Sequence, residues 1–205
     1  MAISIIDYGM ANLRSVQKAF AEVGYDAAII STPEEITAAD HLVLPGVGAF
    51  RDAIATLREK HFVEPILEHI KKDKPMLGIC LGLQMLFEIG YEEGEHQGLG
   101  VLGGSCVRFD VDDTLHLKVP HMGWNQLDRQ AESPLMNGIA DGVGVYFVHG
   151  YHVVPTDKSV IATTTDYGRS FVSSVRRGNL MATQFHPEKS QKVGLHMLAN
   201  FAGVS

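Results

Sequence analysis

The stretch "KPMLGICLGLQMLFE", Lys74 to Glu88, decides the fold. Its short apolar run "PMLGIC", Pro75 to Cys80, reads as a buried strand. It ends in Gly78-Ile79-Cys80-Leu81-Gly82, and "LGLQMLFE" then takes up a helical pattern. A strand that runs straight into a helix is half of a crossover unit, and crossover units build parallel sheets.

The residues upstream repeat that alternation. "ISIIDY" (Ile3 to Tyr8) reads as a strand, and Leu13, Val16, Phe20 and Val23 then recur at helical spacing up to a stop at Gly24. "DAAIIS" is a second strand, and Thr32-Pro33-Glu34-Glu35 has the form of a capping box with proline in the first turn. "HLVLPG" is a third strand, followed by helical segments over roughly residues 50–72. Downstream the pattern changes. "GGSCVRF", "GWNQL", "GVYFVHGYHVV", "SVIATTT" and "SFVSSVRRGNLMATQF" are short alternating runs between glycines and charged turns, with a hairpin turn at Arg177-Gly178-Asn179. A last helix spans about 191–201. The expectation is one α/β domain over 1–205: an open, mainly parallel sheet flanked by helices, with an antiparallel β extension in the second half.

Bulk composition narrows the function. The chain has 205 residues, 45% of them hydrophobic and 20% charged, which is ordinary for a globular protein. A net charge of -7 argues against nucleic acid or an anionic membrane as partner, since both need clustered Lys and Arg. The start "MAISIIDYGM" has neither the basic nor the long apolar region of a signal peptide, and no apolar stretch is long enough to span a membrane. The only cysteines, Cys80 and Cys106, cannot make a disulfide framework and fit the cytoplasm. The ten histidines show no metal-site spacing, so no metal and no cofactor are expected.

Cys80 has the setting of a nucleophile elbow, G-x-C-x-G at a strand-to-helix turn. The helix opening at Leu81 aims its dipole and free N–H groups at the sulfur, which favours the thiolate and offers Leu81 N–H to an oxyanion. Taken alone, Cys80 fits a buried structural thiol equally well; Cys106 reads as a core-strand residue. "TQFHPEKS" supplies a base and an orienter in His186 and Glu188, whose i, i+2 spacing puts both on one side of an extended segment. A Cys-His-acid set is the arrangement that carries acyl transfer through a thioester. Pro45-Gly46-Val47-Gly48 ends the third strand with glycines that let a peptide N–H turn toward an oxyanion, and in a parallel sheet this loop and Cys80 share one edge.

"GICLGLQ" with the distant "HPEKS" resembles the triad class of glutamine amidotransferases, which have a flavodoxin-like fold. Within that class "IIDYGMANLRSV", "PGVGAF", "VPHMGWN" and "FHPEKSQ" are similar to the glutaminase subunits of imidazole glycerol phosphate synthase, from Ile5 to the end of the chain. The resemblance implies Cys80, His186 and Glu188 as the triad, and oxyanion donors at the Gly46-Val47-Gly48 turn and Leu81. It implies glutamine contacts at Gln84 and Glu92 and at the backbone of Gly150 and Tyr151. Glu92 otherwise reads as one of several solvated acids in "YEEGEHQ". The family often has Ser or Thr where this chain has Gly150, so only backbone contacts carry over there. The implied partner is a (β/α)8-barrel cyclase that receives ammonia, with Tyr8, Asn12, Met122 and Trp124 at the interface. The alternative for Trp124 is a core residue on a strand, but flanking Gly123 and Asn125 speak for an interface anchor. The competing readings are a glutaminase for another synthase, such as that of pyridoxal phosphate, a Cys-elbow hydrolase or deglycase, and a scaffold without activity.

Overall fold

The computed structural model of the chain describes residues 2–110 and 117–204. Five strands form the parallel half of its large sheet, in the order β2 (Ala27–Ile30), β1 (Ile3–Ile6), β3 (His41–Gly46), β4 (Met76–Cys80) and β14 (Leu180–Thr183). β4 lies between β3 and β14, in register from Leu42↔Met76 to Gly46↔Cys80 on one side and from Leu180↔Met76 to Thr183↔Ile79 on the other. All five of its residues are buried, as expected of a parallel strand covered on both faces.

Those two faces carry two separate cores. On one, Leu42, Leu44 and Met76 pack under α2 (Pro33–Ala38), α3 (Phe50–Glu59) and α4 (Val63–Lys71), through Ile36, Phe50, Ile54, Leu57 and Ile66. On the other, Val43, Leu77 and Ile79 pack under α1 (Leu13–Glu22) and α6 (Gln191–Ala202), through Val16, Phe20, Met197, Leu198 and Phe201. The capping box forms as the sequence implies: Thr32 Oγ1 accepts from Glu35 N–H, and the Glu35 carboxylate accepts from Thr32 N–H. No helix among the described residues is long and apolar enough to cross a membrane.

The second half extends the same sheet in mostly antiparallel fashion. β14 pairs with β13 (Ser170–Arg177), β13 with β11 (Tyr151–Pro155), and β11 with β7 (Leu102–Arg108). β5 (Phe87–Gly90) and β6 (His96–Gln97) finish that edge, while β12 (Ile161–Asp166) and β9 (Asp128–Arg129) branch from β13. A separate two-stranded ribbon pairs β8 (His121–Gln126) with β10 (Gly144–His149).

One element differs from expectation. The helix after Cys80, α5, stops at Met85, and "FEIG" is strand β5. The carbonyls of Met85, Leu86 and Phe87 accept from the N–H groups of residues 99–102, so bonds that a longer helix would make internally go to a distant segment. That long-range pairing overrides the helical propensity of "LGLQMLFE".

Candidate active site

Cys80 is the last residue of β4 and caps α5, with φ 55° and ψ -105°. A non-glycine residue there is strained by about 1–3 kcal/mol, a cost that a fold retains only where its surroundings over-determine it. Gly82 supplies much of that determination, because a Cβ on it would run into the Leu44 carbonyl. Gly78 has Ala182 and the Gly82 backbone where its own Cβ would be. The glycines of the elbow therefore let β4, α5 and β3 close on one another.

His186 follows β14 on the same sheet edge and is 2% exposed. Its Nδ1 lies 2.7 Å from Glu188 Oε1, a pair whose side chains are almost wholly buried. The pairing is as expected but its geometry is not: Pro187–Lys189 is a 3-10 turn rather than an extended segment. Burial on its own would lower the His186 pKa, but Cys80 and Glu188 outweigh it and raise the value to about 9. Both His186 Nε2 and Glu188 Oε2 are buried without a hydrogen-bond partner among the described residues. Ser190, which the sequence did not single out, stitches the turn in place: its Oγ donates to His186 O at 2.7 Å and accepts from Tyr146 N–H at 3.0 Å.

The loop after β3 departs from expectation. Val47 N–H donates to Met10 O at 2.9 Å, so it does not face Cys80. Leu81 N–H, at the first position of α5, has no partner within the helix. Gly48 has φ 97°, a left-handed value that glycine adopts freely.

A cavity of about 330 Å³ gathers the predicted residues: Val47, Gly48, Cys80, Leu81, Gln84, Glu92, Gly150, Tyr151 and His186 all line it. Gln84 is buried and spends both amide hydrogens inside the protein, on Tyr151 O and Gln184 Oε1, each at 3.1 Å. Glu92 is not merely a solvated acid. Its Oε2 accepts from Phe50 N–H at 2.6 Å, at the first position of α3, where the helix dipole favours negative charge. Phe109 N–H donates to Gly150 O, and Tyr151 O receives two donors, Gln84 Nε2 and His149 Nδ1. A side chain on Gly150 would meet nothing closer than Val119 Cγ1 at 3.6 Å, so its absence leaves room beside the cavity.

Of the four expected interface residues, Asn12, Met122 and Trp124 are exposed, the last two by 63% and 51%. Tyr8 is not. It is 1% exposed, and its hydroxyl lies against Gly46, where a Cβ would meet it at 2.5 Å. Burial in the apolar turn, followed by the nearby Cys80, pushes the Tyr8 pKa well above the ordinary tyrosine value. Cys106 is buried in β7 as expected, and desolvation raises its thiol pKa.

The model of the glutamine amidotransferase class-I family matches residues 4–203. The chain is 58% identical to the imidazole glycerol phosphate synthase subunit HisH of Syntrophotalea carbinolica, over 97% of this chain and 98% of that one. It is 54% identical to the same subunit of Aquifex aeolicus, over 98% and 96%. A solved glutamine amidotransferase structure superposes with a TM-score of 0.75 at 19% identity, covering 98% of this chain and all of that one.

Proposed function

The chain belongs to the class-I glutamine amidotransferases, and on that premise we propose that Cys80, His186 and Glu188 release ammonia from glutamine for a cyclase subunit. The relatives above are subunits of imidazole glycerol phosphate synthase, which makes the histidine-pathway glutaminase the activity of this chain. The observation that carries the catalytic reading is a strained cysteine and a buried His-Glu pair around one cavity.

The chemistry follows from the charges. An imidazole with a pKa of about 9 holds its proton at neutral pH, so His186 meets the sulfur as an imidazolium, a charge that favours attack by sulfur as a thiolate. The thiolate attacks the carboxamide carbon of glutamine, and the oxygen takes up negative charge against Leu81 N–H. His186 gives its proton to the departing nitrogen, the C–N bond breaks, and ammonia leaves behind a thioester on Cys80. The neutral imidazole then takes a proton from water as it attacks the thioester, and glutamate departs. Glu188 keeps the imidazole oriented throughout and stabilises it whenever it carries the proton.

Val47 N–H becomes the second oxyanion donor if the Gly46-Val47 peptide rotates and breaks its bond to Met10 O. The Glu92 carboxylate suits the α-ammonium of glutamine, and Gln84 Oε1 is the atom its internal bonds leave for the substrate. The partner is a (β/α)8-barrel cyclase docked at Asn12, Met122 and Trp124. An exposed Trp beside an exposed Met on one strand supports that face, because such residues anchor interfaces. Free ammonia is mostly protonated in neutral water and then no longer nucleophilic, which gives direct delivery its advantage. The chain works as a single domain over 1–205, in the cytoplasm, on L-glutamine and without nucleic acid or membrane.

Glutamate release by wild type and Cys80→Ala, with and without the cyclase and its phosphorylated ligand, tests the reading. Wild type should be weak alone and strong in the complex, and the alanine variant inactive in both. Normal hydrolysis by Cys80→Ala in the complex would sink the mechanism, and failure of the cyclase to bind or stimulate would sink the partner.

A further inference from the structure

A backbone carbonyl can only accept hydrogen bonds, so it sets the direction of every bond that ends on it. Tyr151 O receives Gln84 Nε2 at 3.1 Å and His149 Nδ1 at 2.7 Å. Gln84 therefore turns its amide nitrogen toward Tyr151, and the same nitrogen donates to Gln184 Oε1 at 3.1 Å. With its oxygen so engaged, Gln184 has its nitrogen on the other branch of the amide. That nitrogen lies 3.7 Å from Cys80 Sγ. Gln184 is fully buried, and its backbone is anchored by a bond from its N–H to Ser173 O at 2.8 Å.

The other donor to Tyr151 O begins a second chain. His149 carries its proton on Nδ1, so its Nε2 accepts from His121 Nδ1 at 3.3 Å. His121 Nε2 is then an acceptor, and Asn125 Nδ2 stands 3.3 Å from it. Asn125 is oriented independently, because the same nitrogen donates to Asp166 O at 2.8 Å. Two separate carbonyls, Tyr151 O and Asp166 O, thus demand one and the same proton order. Burial lowers the pKa of His121 to about 4 and that of His149 to about 3, so both rings are neutral and hold one proton each.

We propose that Gln184 is a catalytic residue whose amide N–H holds the Cys80 sulfur as a thiolate, and that His121 is a positioning residue acting on it through His149 and the Tyr151 carbonyl. The proposal rests on the thioester reading above and adds a donor to it. A thiolate accepts a hydrogen bond more strongly than a thiol does, so a fixed donor shifts the balance toward the reactive form. His149 occupies one side of Tyr151 O and leaves the other for Gln84, whose orientation then fixes that of Gln184. If His149 carried its proton on Nε2 instead, a lone pair would face the carbonyl and that order would be lost. The other titratable groups coupled electrostatically to Cys80 are His186, Tyr8 and Cys106.

Alkylation of Cys80 by iodoacetamide against pH, with the modified peptide located by mass spectrometry, reads the thiolate without glutamine or partner. In Gln184→Met the thiol midpoint should rise by about one unit, so that the rate at pH values below the wild-type midpoint falls about ten-fold, the size of one hydrogen bond to a charged group. Gln184→Glu keeps the volume and should shift the midpoint the same way, so it decides the matter if the methionine variant does not fold. His121→Phe should slow alkylation about three-fold, a smaller effect because it acts on Gln184 through His149, the Tyr151 carbonyl and Gln84. In the wild-type chain, 15N spectra of the imidazoles should show His121 and His149 protonated on Nδ1 alone. Unchanged alkylation in the folded Gln184 variants, or a proton on Nε2 of either ring, would overturn the proposal. Glutamate release by Cys80→Ala separately tests the hydrolytic reading, so the two can fail independently.

Discussion

The elbow at Cys80 and the loop at Val47 sit on adjacent parallel strands and end at the same sheet edge, yet one is ready for chemistry and the other is not. At the elbow a strained φ of 55° is locked by Gly82 against Leu44, and Leu81 N–H already opens the helix. In the loop, Val47 N–H is spent on Met10 O. The contrast teaches that close packing can enforce an expensive conformation, whereas a loop held by one backbone hydrogen bond, worth about 1 kcal/mol, stays free to choose. Leu81 N–H is positioned by the packed core, whereas Val47 N–H is held by a loop contact.

The largest effect should come from the built half. Glu188→Gln keeps the shape but removes the charge that orients and holds the imidazolium. Glutamine hydrolysis in the complex should fall about 10²- to 10⁴-fold, and steady-state kinetics against pH should show the alkaline limb moved to lower pH. An unmoved limb would mean that Glu188 does not govern His186. Next comes the loop. Val47→Pro deletes the N–H, so kcat in the complex should fall about 10²- to 10³-fold with little change in KM for glutamine. Normal kcat would leave Leu81 as the sole donor and dissolve the contrast.

Gly82→Ala attacks the packing that locks the elbow. A methyl against the Leu44 carbonyl should cost about 1–3 kcal/mol in urea unfolding. A variant as stable as wild type would show that the elbow is held by something else. The smallest effect is a slope. His186 binds its proton up to a pH of about 9 when folded and about 6.5 when unfolded. Its stabilisation is therefore complete below about pH 6.5 and lost as pH rises through about 9. Urea midpoints should decline across that window in wild type and less so in Glu188→Gln.

The elbow was legible before any coordinates because its signal is local: a short apolar run, two small residues and a helical pattern within one stretch. The His186–Glu188 pair was legible for the same reason, although the bond is made by a 3-10 turn and not by an extended segment. Tyr8 misled, since a motif residue near a loop looks accessible until Gly46 is seen to close over its hydroxyl. Gln184 and His121 escaped notice because their partners, Cys80 and His149, are 104 and 28 positions away in the chain.

By itself the sequence determined which residues are candidates for the chemistry and which alternation of strands and helices presents them, because cysteine elbow, His-x-Glu pair and periodicity are each written in neighbouring positions. Only the tertiary structure decided the end of α5 at Met85, the direction of Val47 N–H, and the proton order from Asn125 to Cys80. Each depends on which distant carbonyl stands in reach of a donor. Hydrogen bonds take their direction from such acceptors, and no local pattern of residue types records where those carbonyls lie.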